Sequence, residues 1–461
     1  MQQIFAIVGL TWKAAFRYRL FWVLTCLLLG AVVGLPLLLK DDGTAEGFTQ
    51  ILLTYTLSAV TGILGMCTLW LACGTLARDI EECQLQMVVV KPIARWQIWL
   101  GKWLGLLSLN VVLLTVAGVS IYCLLEWRAK RLPEDQQVRL KQEVLVARAS
   151  VKADNLDPMI DAETERRFQE RLKKNGLKDV NPEIIRKQLR EQIKAELQVV
   201  GPGEVRPWVI HLASVKESLK NQPLSLRIKF NAANGSSSGT FYAEWAVGAP
   251  PTIRPWTSEV MSLAPDTTHD IPIPANMFDE KGDLTVMFHN PNGTALLFPL
   301  DEGMEVLYRE GGFELNFIRG LGIILCWLAL LATLGLASAS YLSFPVAAFF
   351  SLAILTMVFS SGTLSNVVAE GTVTGMDQET GAVVHSMVDP VAVPMFRGLL
   401  NIIQVVQQFS PIDALSSGRS ITWTQLGQAA VQIVLLMGGF IGLIGVFIFS
   451  RRELATAQGT N

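Results

Sequence analysis

Residues 103–125 of the chain read WLGLLSLNVVLLTVAGVSIYCLL and contain no charged side chain. A helix needs about 20 mostly apolar residues to cross the hydrocarbon core of a bilayer. Five further uncharged stretches are long enough: Phe21–Leu39, Ile51–Ala77, Leu321–Ser340, Val346–Ala369 and Leu426–Ser450. The sequence therefore predicts an α-helical polytopic membrane protein with six transmembrane helices.

The remaining sequence has a different composition. The 461-residue chain has a net charge of −2, a mean hydropathy of +0.38 and 17% charged residues, against about 25% in soluble domains. Residues 126–314 hold 25 of its 38 Lys and Arg and 28 of its 40 Asp and Glu. We expect the lipid bilayer around the apolar part, a separate charged domain, and no nucleic acid as a partner.

The charged segment is expected to be an inserted α+β domain, with helices followed by a β-sandwich. Leu140, Val144, Ala147 and Val151 have helical spacing, and Asp157-Pro158 and Asn181-Pro182 are typical helix starts. Apolar and polar residues alternate over 224–230, and short strand-like runs follow. The predicted regions are 1–125 (an interfacial helix and transmembrane helices 1–3), 126–203 (charged and helical), 204–315 (β-sandwich-like) and 316–461 (transmembrane helices 4–6 and a short cytoplasmic tail).

Two features of this domain have more than one interpretation. The charges around its helices indicate solvated faces or a partner-binding coiled coil. Trp245 and Trp256 indicate core packing or a ligand platform. The domain contains no cysteine, so its own core must stabilise it without disulfides.

The basic residues that flank the uncharged stretches predict the orientation. Nine of them fall on one side if both termini are cytoplasmic: Lys13, Arg17, Arg19, Arg78, Lys91, Arg95, Lys102, Arg451 and Arg452. The short flanks on the other side hold Lys40, Arg319, Arg397 and Arg419. We expect a multi-pass protein of the cell (inner) membrane, with residues 126–315 extracytoplasmic.

Motifs for enzymatic chemistry are missing. The sequence has no GxxxxGK(S/T) phosphate loop and no HExxH pair, and its four histidines lack the spacing of metal ligands. Gly235–Gly239 fits the letters GxSxG, but a strand pattern follows where a nucleophile elbow needs a helix. We predict no catalytic residue, no metal site and no cofactor bound by this chain.

The uncharged stretches also lack Asp, Glu, Lys, Arg and His, which argues against an ion-coupled carrier. Mildly polar residues remain within or beside them. They indicate hydrogen bonds between helices or a substrate pathway. The candidates are Thr54, Ser58, Thr61, Asn110 and Ser360.

The loop between the second and third stretches carries the most specific pattern. Acidic residues follow Arg78, an apolar run leads to Lys91-Pro92, and Arg95-Trp96 precedes Gly101-Lys102. The proline predicts a break between a short amphipathic helix and the next span.

This loop resembles the first cytoplasmic loop of type-2 ABC exporter permeases, the membrane-spanning subunits of ABC transporters. The end of the chain, Phe449–Leu454, and an amphipathic start with Phe5, Val8, Trp12 and Phe16 opposite Lys13 and Arg17 are also similar to that family. The loop residues matching the family pattern are Arg78, Asp79, Glu81, Leu85, Lys91, Pro92, Arg95, Trp96, Ile98, Gly101 and Lys102. Cys83 stands where the family usually has glycine or serine, and the large external domain is a departure from most members.

The resemblance implies an ATP-driven exporter built from two permease chains, identical or related, each bound by an ABC ATPase subunit. ATP and Mg²⁺ would bind that ATPase. The implied coupling residues are Arg78, Asp79, Glu81, Glu82, Leu85, Lys91, Pro92, Arg95 and Lys102. Residues 395–409 would form an external interfacial or re-entrant helix, or an ordinary surface helix.

Two other functions fit the same sequence. A non-transporting scaffold or sensor could use the permease fold to display its external domain. A membrane-anchored enzyme would act through residues 126–314. An ATPase partner distinguishes the permease from both.

Overall fold

The computed structural model of the protein describes residues 2–17, 20–38, 44–81, 93–175, 182–213, 215–219, 222–235, 238–248, 255–300, 303–374 and 386–452. The chain divides into two compact units. Unit 1 comprises Met1–Ala147 and Gly311–Asn461, and unit 2 comprises Arg148–Glu310.

Most of the described residues of unit 1 are helical, and unit 2 contains three further described helices, Asp157–Asn175, Pro182–Gln198 and Lys216–Leu219. Leu140–Val144 and Ala430–Gly438 are π-helical, and the second of these joins the two last helices into one. The α-helices in chain order are α1 (Gln2–Arg17), α2 (Leu20–Leu38), α3 (Ala45–Glu81), α4 (Arg95–Ala129), α5 (Glu134–Arg139), α6 (Asp157–Asn175), α7 (Pro182–Gln198), α8 (Lys216–Leu219), α9 (Phe313–Tyr341), α10 (Phe344–Phe359), α11 (Ser361–Glu370), α12 (Asp389–Gln407), α13 (Pro411–Ser416), α14 (Trp423–Ala429) and α15 (Gly439–Arg451).

Four helices among the described residues are long and apolar enough to cross a membrane: α3, α4, α9 and the joined helix Trp423–Arg451. They contain the second, third, fourth and sixth uncharged stretches. The first and fifth stretches form the shorter apolar helices Trp22–Pro36 and Phe344–Val358. The protein is therefore mostly helical, with four candidate membrane-spanning helices and a separate β-sheet region.

The fifth uncharged stretch does not form one continuous helix. The first of its two helices, α10, ends at Phe359, and α11 begins two residues later. Ser360 between them leaves helical geometry, with φ −86° and ψ 16°. Its neighbours Ser361 and Gly362 are weak helix formers, which explains a break at this point.

Glycines allow α1 to pack closely along α4. A Cβ atom on Gly101 would lie 2.8 Å from Ile7 Cβ, and one on Gly105 would lie 2.8 Å from Thr11 Cβ. Trp12 Nε1 donates to Ser108 Oγ at 2.8 Å. Phe5 remains 70% exposed, so α1 packs on α4 through one face and keeps an apolar side chain free on another.

A similar close approach joins α3 and α9 at the centre of unit 1. A Cβ atom on Gly335 would lie 2.6 Å from Ala72 Cβ. Small residues at such positions let two helix backbones approach and pack by dispersion. The end of α3 is thereby fixed against α9.

Unit 2 contains the described strands, apart from the ends of the first and the last of them. The strands are β1 (Val146–Lys152), β2 (Val199–Val200), β3 (Val205–His211), β4 (Leu224–Lys229), β5 (Asn231–Ala232), β6 (Phe241–Gly248), β7 (Trp256–Thr257), β8 (Met261–Leu263), β9 (Thr268–Ile273), β10 (Asp283–His289), β11 (Leu296–Leu297) and β12 (Met304–Gly312). Two sheets, with the strand orders β1-β12-β4-β9 and β3-β10-β6-β7, contribute side chains to a single apolar core, and β8 pairs with β6. A third, small sheet has the order β2-β11-β5.

The spacing of Leu140, Val144, Ala147 and Val151 predicted one helix, and this prediction is wrong for the second half of the segment. Residues 146–152 form β1, which pairs with β12 at the edge of a sheet. Arg148 Nη1 lies 2.9 Å from Asp270 Oδ2 on β9. These partners are distant in sequence, and their pairing prevails over a local helical pattern.

The two helices predicted after β1 are confirmed as α6 and α7. Phe168, Ile185 and Leu189 form their shared apolar core. Ion pairs surround it, and hydrogen bonds from Arg166 and Arg167 lower the pKa of Glu163 to about 2. Because Arg167 also reaches Glu196 on α7, much of this charge links the two helices to each other.

The alternation predicted for 224–230 is confirmed, since Leu224, Leu226, Ile228 and Phe230 are buried. Trp245 is fully buried, with its ring centroid 4.6 Å from that of Phe288. Its packing confirms the core interpretation for this tryptophan.

Candidate functional site

The predicted coupling residues lie where α3 ends and α4 begins, which we call the loop end of unit 1. Arg78, Asp79 and Glu81 occupy the last turn of α3, and Arg95 is the first residue of α4. The fifth described member, Lys102, lies two turns into α4. Glu82, Leu85, Lys91 and Pro92 lie outside the described residues.

Lys102 links the two helices. Its Nζ lies 2.6 Å from Asp79 Oδ2 and donates to Thr75 O at 2.7 Å. The Lys102 side chain is 9% exposed, whereas that of Asp79 is 35% exposed. A buried ammonium group needs such partners because its desolvation is costly. The contact therefore fixes α4 against the end of α3.

Arg95 extends this network to the last helix. Its Nη1 lies 3.0 Å from Phe449 O, 3.0 Å from Ser450 O and 2.6 Å from Arg452 O. The last carbonyl groups of a helix have no partner within the helix and form its negative end. The Arg95 guanidinium thus caps the end of α15.

Arg452 makes the same type of contact with α9 and was not predicted as a site residue. Its Nη1 donates to Ser340 O at 3.1 Å and lies 3.4 Å from Ala339 O. The basic pair Arg451-Arg452 at the end of an apolar stretch was the available signal. Sequence alone does not reveal which neighbouring helix such a pair contacts.

Glu81 joins α3 to the beginning of α10. Its Oε1 accepts a hydrogen bond from Phe344 N at 2.9 Å, and this N–H group has no carbonyl partner within α10. The Arg78 guanidinium carbon lies 4.6 Å from the Phe344 ring centroid, and Trp70 meets the same ring edge to face at 5.2 Å. One phenylalanine therefore receives contacts from two turns of α3.

Together these bonds form a chain of helix-end contacts. Lys102 connects α4 to α3, Arg95 connects α4 to α15, and Arg452 connects α15 to α9. Glu81 connects α3 to α10. The two helices that flank residues 82–92 are thus linked, directly or through one intermediate helix, to three other helices.

The five polar candidates within or beside the spans are not brought together. Asn110 is 5% exposed and accepts a hydrogen bond from Thr68 Oγ1 at 2.9 Å, which bridges α4 and α3. Ser58 faces outward on α3, Thr54 is half-buried, and the Thr61 hydroxyl is buried without a partner among the described residues. The last of them, Ser360, occupies the break between α10 and α11.

Unit 2 contains a buried ionic cluster across one sheet. Arg227 on β4 donates to both carboxylate oxygens of Asp270, at 2.7 and 2.8 Å, and lies 3.9 Å from Glu305 on β12. Burial alone would raise the pKa of Asp270, but hydrogen bonds and charge from Arg227 and Arg148 outweigh it and lower the pKa. The cluster links β4 to its two neighbours, β9 and β12.

An exposed histidine cluster lies at an edge of the other sheet. His211 Nδ1 lies 2.5 Å from Asp283 Oδ1, and His211 Nε2 lies 3.2 Å from Asp154 Oδ1. The hydrogen bond with Asp283 and the Asp154 charge raise the pKa of His211. Within the described ranges, no three His, Cys, Asp or Glu residues are grouped to hold a metal ion.

Of the turn predicted at residues 235–239, the structure describes residues 235, 238 and 239. Gly239 has φ +70°, and β6 begins two residues later. A turn leading into a strand does not provide the strand-to-helix geometry of a nucleophile elbow.

No protein-family model, curated protein or solved structure matches the chain.

Proposed function

We propose that this chain is the membrane permease subunit of an ATP-driven type-2 ABC transporter, an exporter. In this proposal α2 is the first transmembrane helix, and α10 and α11 together form the fifth. With the four long apolar helices they make six spans. As a 19-residue helix, α2 is about 28 Å long, close to the roughly 30 Å hydrocarbon thickness. Residues 126–315 are extracytoplasmic, and both termini are cytoplasmic in the cell (inner) membrane.

The main support is the chain of helix-end contacts at the loop end. Lys102, Arg95 and Glu81 lie on the two helices that precede and follow the segment resembling the family's coupling loop, and each contacts a different helix end. Such contacts suit a loop that receives force from a separate ATPase and distributes it to several spans.

The distribution of basic residues supports the proposed orientation. Arg78, Arg95, Lys102, Arg451 and Arg452 lie at the loop end of unit 1. Enrichment of Lys and Arg in short loops is typical of the cytoplasmic side. The distribution therefore supports a cytoplasmic loop, on the side where an ATPase partner would bind it.

The proposed mechanism assigns this chain a passive mechanical role. ATP and Mg²⁺ bind the partner subunit, whose closure displaces residues 82–92. Movement of α3 carries Phe344 through Glu81, and movement of α4 carries the end of α15 through Arg95. Two such chains, identical or related, would rearrange together around the exported substrate.

Purification from the native membrane in mild detergent tests this proposal. An ATPase should co-purify, and its activity should fall when Glu81 and Glu82 are both changed to Lys. Glu81→Gln is the matched control because the amide oxygen can still accept the Phe344 N–H bond. The absence of an ATPase, or activity unchanged by the charge reversal, would contradict the proposed coupling.

A further inference from the structure

Two Asn-Gly pairs lie within the described residues of unit 2, Asn234-Gly235 and Asn292-Gly293. In such a pair the backbone nitrogen of the glycine can attack the side-chain amide carbon of the asparagine, because glycine has no Cβ to obstruct the approach. Hydrogen bonds that hold the asparagine amide in place oppose this attack, and an open, exposed turn favours it. The two pairs therefore share one chemistry, and the fold decides which of them reacts.

The side-chain amide of Asn292 is held by hydrogen bonds on both of its sides. Its Oδ1 accepts from Tyr242 N at 2.9 Å, and its Nδ2 donates to Tyr242 O at 2.7 Å. The same Nδ2 donates to Asn290 Oδ1 at 2.9 Å, and Asn290 is fully buried. Attack on the amide carbon of Asn292 thus requires local opening that breaks these bonds.

Asn234 has a different environment, in an exposed turn between β5 and β6. The residue before it is fixed, since Ala233 N donates to Ala295 O at 3.0 Å. Among the described residues, neither the Asn234 amide nor Gly235 N has a hydrogen-bond partner. A Cβ atom built on Gly235 would meet no heavy atom within 4 Å. The amide carbon and the attacking nitrogen can therefore approach each other without breaking any described contact.

We propose that Asn234 is a site of spontaneous deamidation, which converts this asparagine into aspartate and isoaspartate. The Gly235 nitrogen forms a bond to Asn234 Cγ as the Cγ–Nδ2 bond breaks, and the proton of the glycine N–H leaves with Nδ2 as ammonia. Water then opens the cyclic succinimide at either carbonyl carbon. Both products add a negative charge to the chain, and isoaspartate also lengthens the backbone by a methylene group. This site does not depend on the proposed transport function.

Incubation of the purified full-length chain in mildly alkaline buffer tests the site. Peptides are quantified afterwards by mass spectrometry, which distinguishes the acid from the amide. Incubation in denaturant provides the reference rate for each peptide, and the two pairs are well matched because serine follows the first and threonine the second. In the folded chain Asn234 should convert close to its reference rate. Asn292 should convert about tenfold or more below its own reference rate, because its hydrogen bonds must first break.

Gly235→Ala provides the matched variant, since the open space around Gly235 accommodates the methyl group. It should slow conversion of Asn234 severalfold and leave the rate at Asn292 unchanged. Equal protection of Asn234 and Asn292 by the fold would overturn the proposed site. Conversion of Asn234 that is unaffected by Gly235→Ala would overturn the proposed attack by the glycine nitrogen and would assign the change to direct hydrolysis of the amide.

Discussion

Lys102 Nζ on α4 lies 2.6 Å from Asp79 Oδ2 on α3, and these two residues flank the segment 82–92. The same ammonium group donates to Thr75 O one turn earlier. Because Lys102 is almost fully enclosed, these two oxygens offset the desolvation of its ammonium group. This pair is the shortest described connection between the helices that enter and leave the proposed coupling loop.

Replacing Lys102 should therefore destabilise the helix ends. Lys102→Met leaves Asp79 without its ammonium partner and should lower the free energy of unfolding by about 1–3 kcal/mol. Thermal and denaturant unfolding of the purified chain would measure this loss. Lys13→Met, at an exposed position on α1, should change stability by less than about 0.5 kcal/mol.

A double-mutant cycle distinguishes a specific contact from general loss of charge. Asp79→Asn with Lys102→Met should cost less than the sum of the single changes, since residues in contact are coupled. Strict additivity would contradict the contact.

Packing of α1 on α4 should depend on Gly105. Gly105→Val places a branched side chain where a Cβ alone would lie 2.8 Å from Thr11 Cβ. The substitution should lower the free energy of unfolding by about 1–3 kcal/mol and should increase protease cleavage within residues 2–17. Gly62→Ala is the control, because no heavy atom lies within 4 Å of a Cβ there. Equal protease sensitivity of both variants would contradict the close approach.

The ionic cluster of unit 2 should contribute more than its surface ion pairs. Arg227→Met leaves the carboxylates of Asp270 and Glu305 without this buried partner and should cost about 3–5 kcal/mol. Arg186→Met removes an exposed pair with Glu165 and should cost at most about 1 kcal/mol. Proteolysis of unit 2 in the intact chain under increasing urea measures both. Comparable midpoints for the two variants would show that the cluster contributes little.

The stability of unit 2 should decrease as the solution becomes alkaline. The folded-state pKa of His211 is raised by Asp283 and Asp154 above its unfolded value of about 6.5. The stabilisation of the folded state by charged His211 is therefore fully present below about pH 6.5 and is lost as the pH rises through the raised pKa. The melting temperature of the wild type should approach that of His211→Gln between pH 6 and pH 9. A difference that stays constant across this range would argue against a charged His211.

Much of the helical part was predictable from sequence, because a bilayer requires long uncharged stretches. The stretches within α3, α4, α9 and Trp423–Arg451 are found in helices long enough to cross. The break at Ser360 depends on a few weak helix formers inside an apolar run, and hydropathy averages conceal it. The strand β1 was missed because its partner β12 is more than 150 residues away in sequence.

The charged residues at the loop end could be singled out from the sequence, but their contacts could not. Arg78, Asp79, Glu81, Arg95 and Lys102 stand out as charges beside apolar stretches. Arg95 contacts carbonyl groups at the end of another helix, Glu81 accepts from a backbone N–H group, and Arg78 lies over an aromatic ring. No side-chain pattern in the sequence encodes these partners.

The proposed coupling requires residues 82–92 to contact an ATPase, and photo-crosslinking in native membranes can detect that contact. A photoreactive amino acid is introduced at Leu85, with a matched control at Val260, which is exposed in unit 2. We expect an adduct at position 85 with a protein containing a GxxxxGK(S/T) phosphate loop, and no such adduct at position 260. An ATPase adduct at position 260 alone, or only lipid adducts at position 85, would contradict this assignment.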